Sequence, residues 1–195
     1  MDHPAGLLLA AGAGRRMGGP KALVELDGEP LVGRALRVLA DGGCSPLMVV
    51  LGASAAKVAE IVPTGVRITV AEDWAEGMGA SLRAGLTALE ALDPVPDAAL
   101  VHLVDLPGVT AEAVRRIAAR TDPDVLVRAA YDGRPAHPVL IGRSHWAGVR
   151  AAAVGDAGAR GYLAGNPDLA LVECGDLADP DDVDTPEQLA RFRSR

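Results

Sequence analysis

Aromatic side chains make up only 3% of this 195-residue chain: two Trp, two Tyr and one Phe. A core must therefore be built from Ala, Val and Leu, which suits strands packed under alanine- and leucine-rich helices. Cysteine is as scarce. Cys44 and Cys174 show no metal-ligand spacing, and nothing in their number requires an oxidising compartment. No apolar run approaches the roughly 20 residues of a membrane span. Positive charge is also short, with 19 Lys and Arg against 26 Asp and Glu and a net charge of -7. That balance argues against non-specific nucleic-acid binding and against attachment to a membrane surface. The apolar stretch near the N-terminus has its arginines after it rather than before it, unlike a signal peptide. A cytoplasmic protein is expected. The length suits one domain with a full core and is short for two.

Short apolar runs predict strands at Gly6–Ala11, Pro46–Leu51, Val66–Ala71, Ala98–Val104, Val125–Ala130, Pro138–Ile141 and Ala170–Glu173. Helical spacing predicts Leu31–Ala40, Ala53–Val62, Ala80–Leu92, Ala111–Arg120, Ser144–Val154 and Ala157–Ala164. This alternation implies an α/β fold: one three-layer α/β/α domain around a mostly parallel, Rossmann-like sheet with right-handed crossovers. In such sheets ligands bind beyond the carboxyl ends of the strands.

At that edge the first strand runs into a long glycine-rich loop, "LLLAAGAGRRMGGPKAL". It is neither a P-loop, since Lys21 is followed by Ala22, nor a dinucleotide fingerprint, since the third glycine position is Met17. Gly12, Gly14, Gly18 and Gly19 let backbone N–H groups approach an anion. Arg16 offers a planar fork for phosphate oxygens and Lys21 a compact charge. On an acidic protein, such a basic knot points to a small anion.

A second element is "ALVHLVDLPGVT". Thr110 suits the cap of the following helix, which leaves Asp105 free at the strand end as a magnesium ligand. His102 reads as a satisfied structural histidine. In "DPDDVDTPEQL" a capping box assigns the cap to Thr185 and its partner to Gln188. Asp184 is then either a second metal carboxylate or part of a solvated acidic turn. Gly77 and Gly79 give "GMGAS" a flexible approach, and Ser81 at a helix start either caps it or touches a ligand. His137 and Arg160 are placed to line a second pocket, with Asp156 as a helix cap. There is no nucleophile-plus-base arrangement and no G-x-S-x-G elbow. The supportable chemistry is phosphorus-group transfer by positioning and charge neutralisation.

"LAAGAGRRMGGPKAL" resembles the pattern L-A-A/G-G-x-S/G-x-R-M-G-x-x-K of the MobA-like nucleotidyltransferases. "VDLP", "GMGASLRAG", "HPVL", "GDAGAR" and "DVDTPEQL" extend the resemblance over nearly the whole chain, and the later ones look most like molybdenum cofactor cytidylyltransferases. The resemblance implies one MobA-like NTP transferase domain over 1–195. It implies transfer of CMP from CTP to the terminal phosphate of a molybdopterin-type acceptor, with Mg²⁺ as cofactor and pyrophosphate released. On that reading Arg16, Lys21 and Asp105 are catalytic. Leu9, Ala10, Ala11, Gly12, Gly14, Arg16, Met17, Lys21, Ser81 and Asp105 meet the nucleotide. Asp105 and Asp184 carry the metal, and His137 and Arg160 meet the acceptor. A molybdenum hydroxylase is the candidate protein partner. "LAAG" in place of "LAGG" adds a methyl beneath the base and leans towards a pyrimidine. Gly14 departs from the Ser of many relatives, which leaves phosphate contacts there to backbone amides. The alternatives are a guanylyl- or sugar-phosphate transferase on the same scaffold, and a non-catalytic carrier of molybdenum cofactor.

Overall fold

The computed structural model describes residues 3–193. Strand β1, Ala5–Leu9, is buried along its whole length, as a central strand covered on both faces must be. It is followed by a small hairpin of β2, Glu25–Leu26, and β3, Glu29–Pro30. The chain continues through α1 (Leu31–Asp41), β4 (Leu47–Leu51), α2 (Ala55–Ala59), β5 (Arg67–Val70), α3 (Met78–Glu90), β6 (Ala98–Leu103) and α4 (Ala111–Ala118). The last third comprises β7 (Leu126–Tyr131), β8 (Arg134–Gly142), α5 (Trp146–Ala152), α6 (Arg160–Leu163), β9 (Ala170–Glu173) and α7 (Pro186–Arg193).

Seven strands form one sheet in the order β5-β4-β1-β6-β8-β7-β9. β1 pairs in parallel with β4 and β6, and β9 in parallel with β7. β8 alone runs antiparallel, to both β6 and β7. The expected mostly parallel sheet is therefore present, with one reversed strand inside it. The cause is a two-residue turn at Asp132 and Gly133, with φ of 51° and 74°. Two successive positive φ values match the twist of a tight hairpin, and Asp-Gly is a preferred pair for it. The hairpin also lengthens β8 well beyond the expected Pro138–Ile141.

Alternation along β1 sends Leu7 and Leu8 to opposite faces. Leu8 packs with Leu36 and Leu39 of α1 and Val114 and Ile117 of α4. Leu7 packs with Leu86 and Leu89 of α3 and Trp146 of α5. Each fully buried leucine of this kind contributes about 1.5–3 kcal/mol. The two apolar layers clamp the sheet and hold the carboxyl ends of β1 and β6 side by side, with Leu9 opposite Leu103. Among the described residues no helix is long and apolar enough to cross a membrane.

Candidate active site

Beyond Leu9 the backbone stays tied to the sheet, with Ala10 N donating to Val50 O at 2.9 Å and Val104 N to Leu9 O at 3.2 Å. The loop then closes on itself. Gly14 sits at φ 59°, and its carbonyl accepts from Met17 N at 2.9 Å and Gly19 N at 3.2 Å. A Cβ on Gly14 would lie 1.9 Å from Gly19 O, so this closure requires glycine. Short helical turns at Arg15–Met17 and Lys21–Leu23 carry the basic side chains back towards the sheet edge.

A cavity of about 430 Å³ opens there, lined by Leu9, Ala11, Gly12, Gly14, Lys21, Ser81 and Asp105 from among the residues read in the sequence. Ala13, Arg15, Trp74, Ala75, Gly77, Met78, Leu103, Val104 and Asp156 complete the lining. Ala10 and Met17 do not line it. Alternation turns Ala10 into the core on the α1 side, 2% exposed, and Met17 packs against that same cluster. Arg16 also lies outside the lining; its side chain is 78% exposed and reaches Asp184 at 3.4 Å. Arg15, one residue earlier, faces the cavity instead. One wall is tight: a Cβ on Gly52 would lie 2.6 Å from the Trp74 side chain and 2.8 Å from the Ala11 methyl.

Lys21 Nζ donates to Asp105 Oδ2 at 2.7 Å and to Asp184 Oδ1. Asp105 is delivered by β6. Asp184 is delivered by the cap of α7, where Gln188 N donates to Thr185 Oγ1 at 3.3 Å. Gln188 Oε1 in turn accepts from the backbone N–H groups of Asp184 and Thr185 at 2.8 Å each. Thr110 caps α4 as expected, accepting from Ala113 N at 3.3 Å. Burial works to lower the Lys21 pKa, but Asp105 and Asp184 outweigh it and hold the ammonium above its usual value. The hydrogen bond from Lys21, with Arg16 adding, holds Asp184 below the usual carboxylate value. Asp182 is pushed up by burial and then by Asp184 and Asp105. The two carboxylates are close enough for one ammonium to touch both, which fits a shared cation. Among the described residues no cluster of three or more His, Cys, Asp or Glu is grouped to hold a metal.

A second cavity of about 160 Å³ shares Leu9, Met78, Leu103 and Asp156 with the first. It is lined by His137 and Arg160, as the sequence suggested, and also by Arg128. Burial pushes the His137 pKa down to about 4, against the Val101 carbonyl that its Nδ1 contacts at 3.4 Å.

Four local expectations change. Asp156 caps no helix; it lies in the turn Gly155–Ala157 between the two cavities. Ser81 is not at the cap of α3, which is Gly77; it lies one turn inside, 5% exposed. Gly77 and Gly79 serve close packing rather than flexibility. A Cβ on Gly77 would meet Asp156 Oδ1 at 2.5 Å, and one on Gly79 would meet Ala153 O at 2.7 Å. His102 is buried, but its Nδ1 has no partner among the described residues. Burial and then His137 lower its pKa to about 3. Two lining residues carry no chemical signal in the sequence: Trp74, in the short turn Trp74–Glu76 ahead of "GMGAS", and Arg128, a strand position of β7.

A glycine loop at a cavity, with Asp105 after β6 and Asp184 at the cap of α7 held by one lysine, on this sheet, defines a nucleotidyltransferase. Residues 6–171 match the MobA-like NTP transferase domain, and the chain belongs to that family. It is 40% identical over 199 residues to nicotine blue oxidoreductase of Paenarthrobacter nicotinovorans, covering 96% of this chain and 95% of that protein. It is 30% identical over 203 residues to molybdenum cofactor guanylyltransferase of Rhodobacter capsulatus, covering 98% and 95%. Among solved structures it is similar to the homolog of Mycobacterium tuberculosis Rv0371c from Mycobacterium sp. strain JC1. That match has a TM-score of 0.83 and 29% identity, and covers 97% of this chain and 94% of the other.

Proposed function

We propose that the chain acts as one cytoplasmic domain that transfers CMP from CTP to the terminal phosphate of a molybdopterin-type acceptor. The observation that carries this reading is the bridge of Lys21 to Asp105 and Asp184 at the edge of the glycine-loop cavity. An oxygen of the acceptor phosphate attacks the α-phosphorus. The bond from that phosphorus to the oxygen bridging it to the β-phosphate breaks, and the electron pair leaves with pyrophosphate. Loop amides around Gly12 and Gly14 hold the triphosphate, and Lys21 and the arginines of the loop neutralise the charge gathering on the leaving group. Asp105 and Asp184 would hold Mg²⁺, which supplies charge stabilisation to the phosphates when bound. Ser81 and the Ala11 wall would meet the ribose and base. His137 and Arg160, in the adjoining cavity, would meet the acceptor, and the product would pass to a molybdenum hydroxylase.

The Ala11 methyl favours the smaller base, whereas the guanylyltransferase relative favours GTP. One methyl decides only about 1–3 kcal/mol. A thermal-shift panel of CTP, GTP, ATP and UTP, with and without Mg²⁺, separates the two. A ligand at about 100 times its Kd adds roughly 2.7 kcal/mol, or about 5–10 °C for a domain of this size. A magnesium-dependent shift with CTP alone is expected. A shift with GTP alone transfers the reading to guanylyl transfer. The 40% identity to a protein named as an oxidoreductase supports a second reading, a reductase built on this scaffold. Absence of any triphosphate shift would favour that reading or a cofactor carrier.

A further inference from the structure

Most arginines with close partners in this acidic protein meet a carboxylate: Arg37 meets Glu29, Arg83 meets Asp73 and Glu76, Arg116 meets Asp176, Arg143 meets Asp97 and Arg150 meets Glu90. Arg128 and Arg160 do not, yet both line the second cavity. Arg128 comes from β7 and is half-buried, with its Nε spent on Ala136 O at 3.1 Å. Arg160 comes from the first turn of α6, at the exposed rim. Asp156 lines the same cavity, but among the described residues it forms no ion pair with either. Two guanidiniums directed to one small space without a counter-ion repel each other. Burying one of them adds a desolvation cost, and a bound anion offsets both. Burial, and after it the charge of Arg160, pull the Arg128 pKa down, as expected of an uncompensated pair. The rest of the lining is apolar, including Leu82, Val101, Val139 and Leu163. His137 stays neutral near pH 7, so it adds no further charge.

We propose that Arg128 and Arg160 form the acceptor-phosphate subsite, and that its ligand is a phosphate monoester whose carbons next to the phosphate lie against the apolar walls. This deepens the nucleotidyl-transfer reading and rests on it for the word acceptor. The subsite itself rests on the cavity alone. The phosphate would bridge the two guanidiniums, which are suited to paired contacts with its oxygens. Leu82, Val101, Val139 and Leu163 would take those carbons. The shared lining of Leu9 and Leu103 puts this phosphate next to the cavity that takes the nucleotide.

The test is calorimetric titration of the full chain with phenyl phosphate, a flat-ring monoester. The first cavity is kept filled by Mg²⁺ and the α,β-methylene analogue of CTP, which cannot transfer CMP. The wild-type chain is expected to bind phenyl phosphate and not phenol. Arg128→Met and Arg160→Met are each expected to weaken binding at least tenfold. Arg120→Met, at an exposed arginine outside both cavities, is expected to leave it unchanged. Absence of wild-type binding overturns the proposal, as does full-strength binding by either cavity variant. If Arg128→Met does not fold, Arg128→Lys keeps the charge and the rim variant Arg160→Met decides. If the CTP analogue is not bound at all, the nucleotidyl-transfer reading fails. The same titrations on the free chain then still decide the subsite.

Discussion

Lys21 Nζ lies 2.7 Å from Asp105 Oδ2, and its other contact is the Asp184 carboxylate. The lysine of the glycine loop thus stands between the same two carboxylates that would share a divalent cation. In the free protein it offsets part of their charge, and on the proposed reading it would compete with a metal for them until a triphosphate drew it away.

Removing that competitor exposes the pair. Lys21→Ala is expected to bind Mn²⁺ without nucleotide at least tenfold more tightly than wild type, about 1.4 kcal/mol. The same variant should lose transfer activity, because nothing replaces the charge at the leaving group. Electron paramagnetic resonance of free Mn²⁺ measures the first effect and single-turnover kinetics the second. Equal metal affinity in the two proteins would sink the competition. Adding Asp105→Asn to Lys21→Ala should abolish the gained binding, and persistence of that binding would place the metal elsewhere.

Gly14 and Gly12 should respond differently to the same added methyl. At Gly14 a Cβ meets Gly19 O at 1.9 Å, whereas at Gly12 it meets nothing within 4 Å. Gly14→Ala is therefore expected to rebuild the loop, at a cost of about 1–3 kcal/mol. Nucleotide binding should be lost. Gly12→Ala should keep wild-type Tm and raise KM for the nucleotide, because its methyl projects into the cavity. Similar Tm and KM for the two variants would show that the loop does not hold this closure in solution.

Ala11 shares a wall with Gly52 and Trp74, so trimming it changes the width of the cavity there. Ala11→Gly is expected to move the CTP-to-GTP ratio of kcat/KM towards GTP by about tenfold, the lower end of what one methyl decides. Trp74 lines the cavity while Trp146, the other tryptophan, is fully buried. Nucleotide binding should therefore alter Trp74 fluorescence, and a Trp74→Phe variant should show no change. An unmoved ratio in Ala11→Gly would remove this wall from base selection.

His102 and His137, both with depressed pKa values, are expected to make stability fall with acid. His102 and His137 stay neutral in the folded chain down to about 3 and about 4, whereas in the unfolded chain they protonate near 6.5. Because the folded values are depressed, unfolding takes up protons below about pH 6.5, and stability is lost as pH falls from there. The slope is on the order of 2 kcal/mol per pH unit for the pair. Denaturant midpoints at pH 7 and 5.5 measure it. His102→Leu should roughly halve the slope, and an unchanged slope would assign the proton uptake elsewhere.

Strand β1, the long loop after it and the cap at Thr185 were all legible in sequence because each rests on neighbours in the chain. An apolar run, a glycine spacing and a Thr-to-Gln interval carry their own physics. Asp105 was legible for the same reason, as an acid ending a buried run with Thr110 already committed to the next cap. The Asp132–Gly133 turn is equally local, but the apolar run by itself marks only Pro138–Ile141, so neither the full length of β8 nor its reversal follows from that run. The cavity lining depended on what no local pattern encodes. Alternation turned Ala10 inward while Ala11 faced the glycine-loop cavity, and the short turn after Gly14 sent Arg16 out and Arg15 in. Arg128 joined His137 and Arg160 only because the β7–β8 hairpin lies beside β6 and packs against α6. Local sequence determined which elements form and where they stop, since those energies act between neighbours. Tertiary packing decided which side chains share a cavity, since that depends on the face each element must bury.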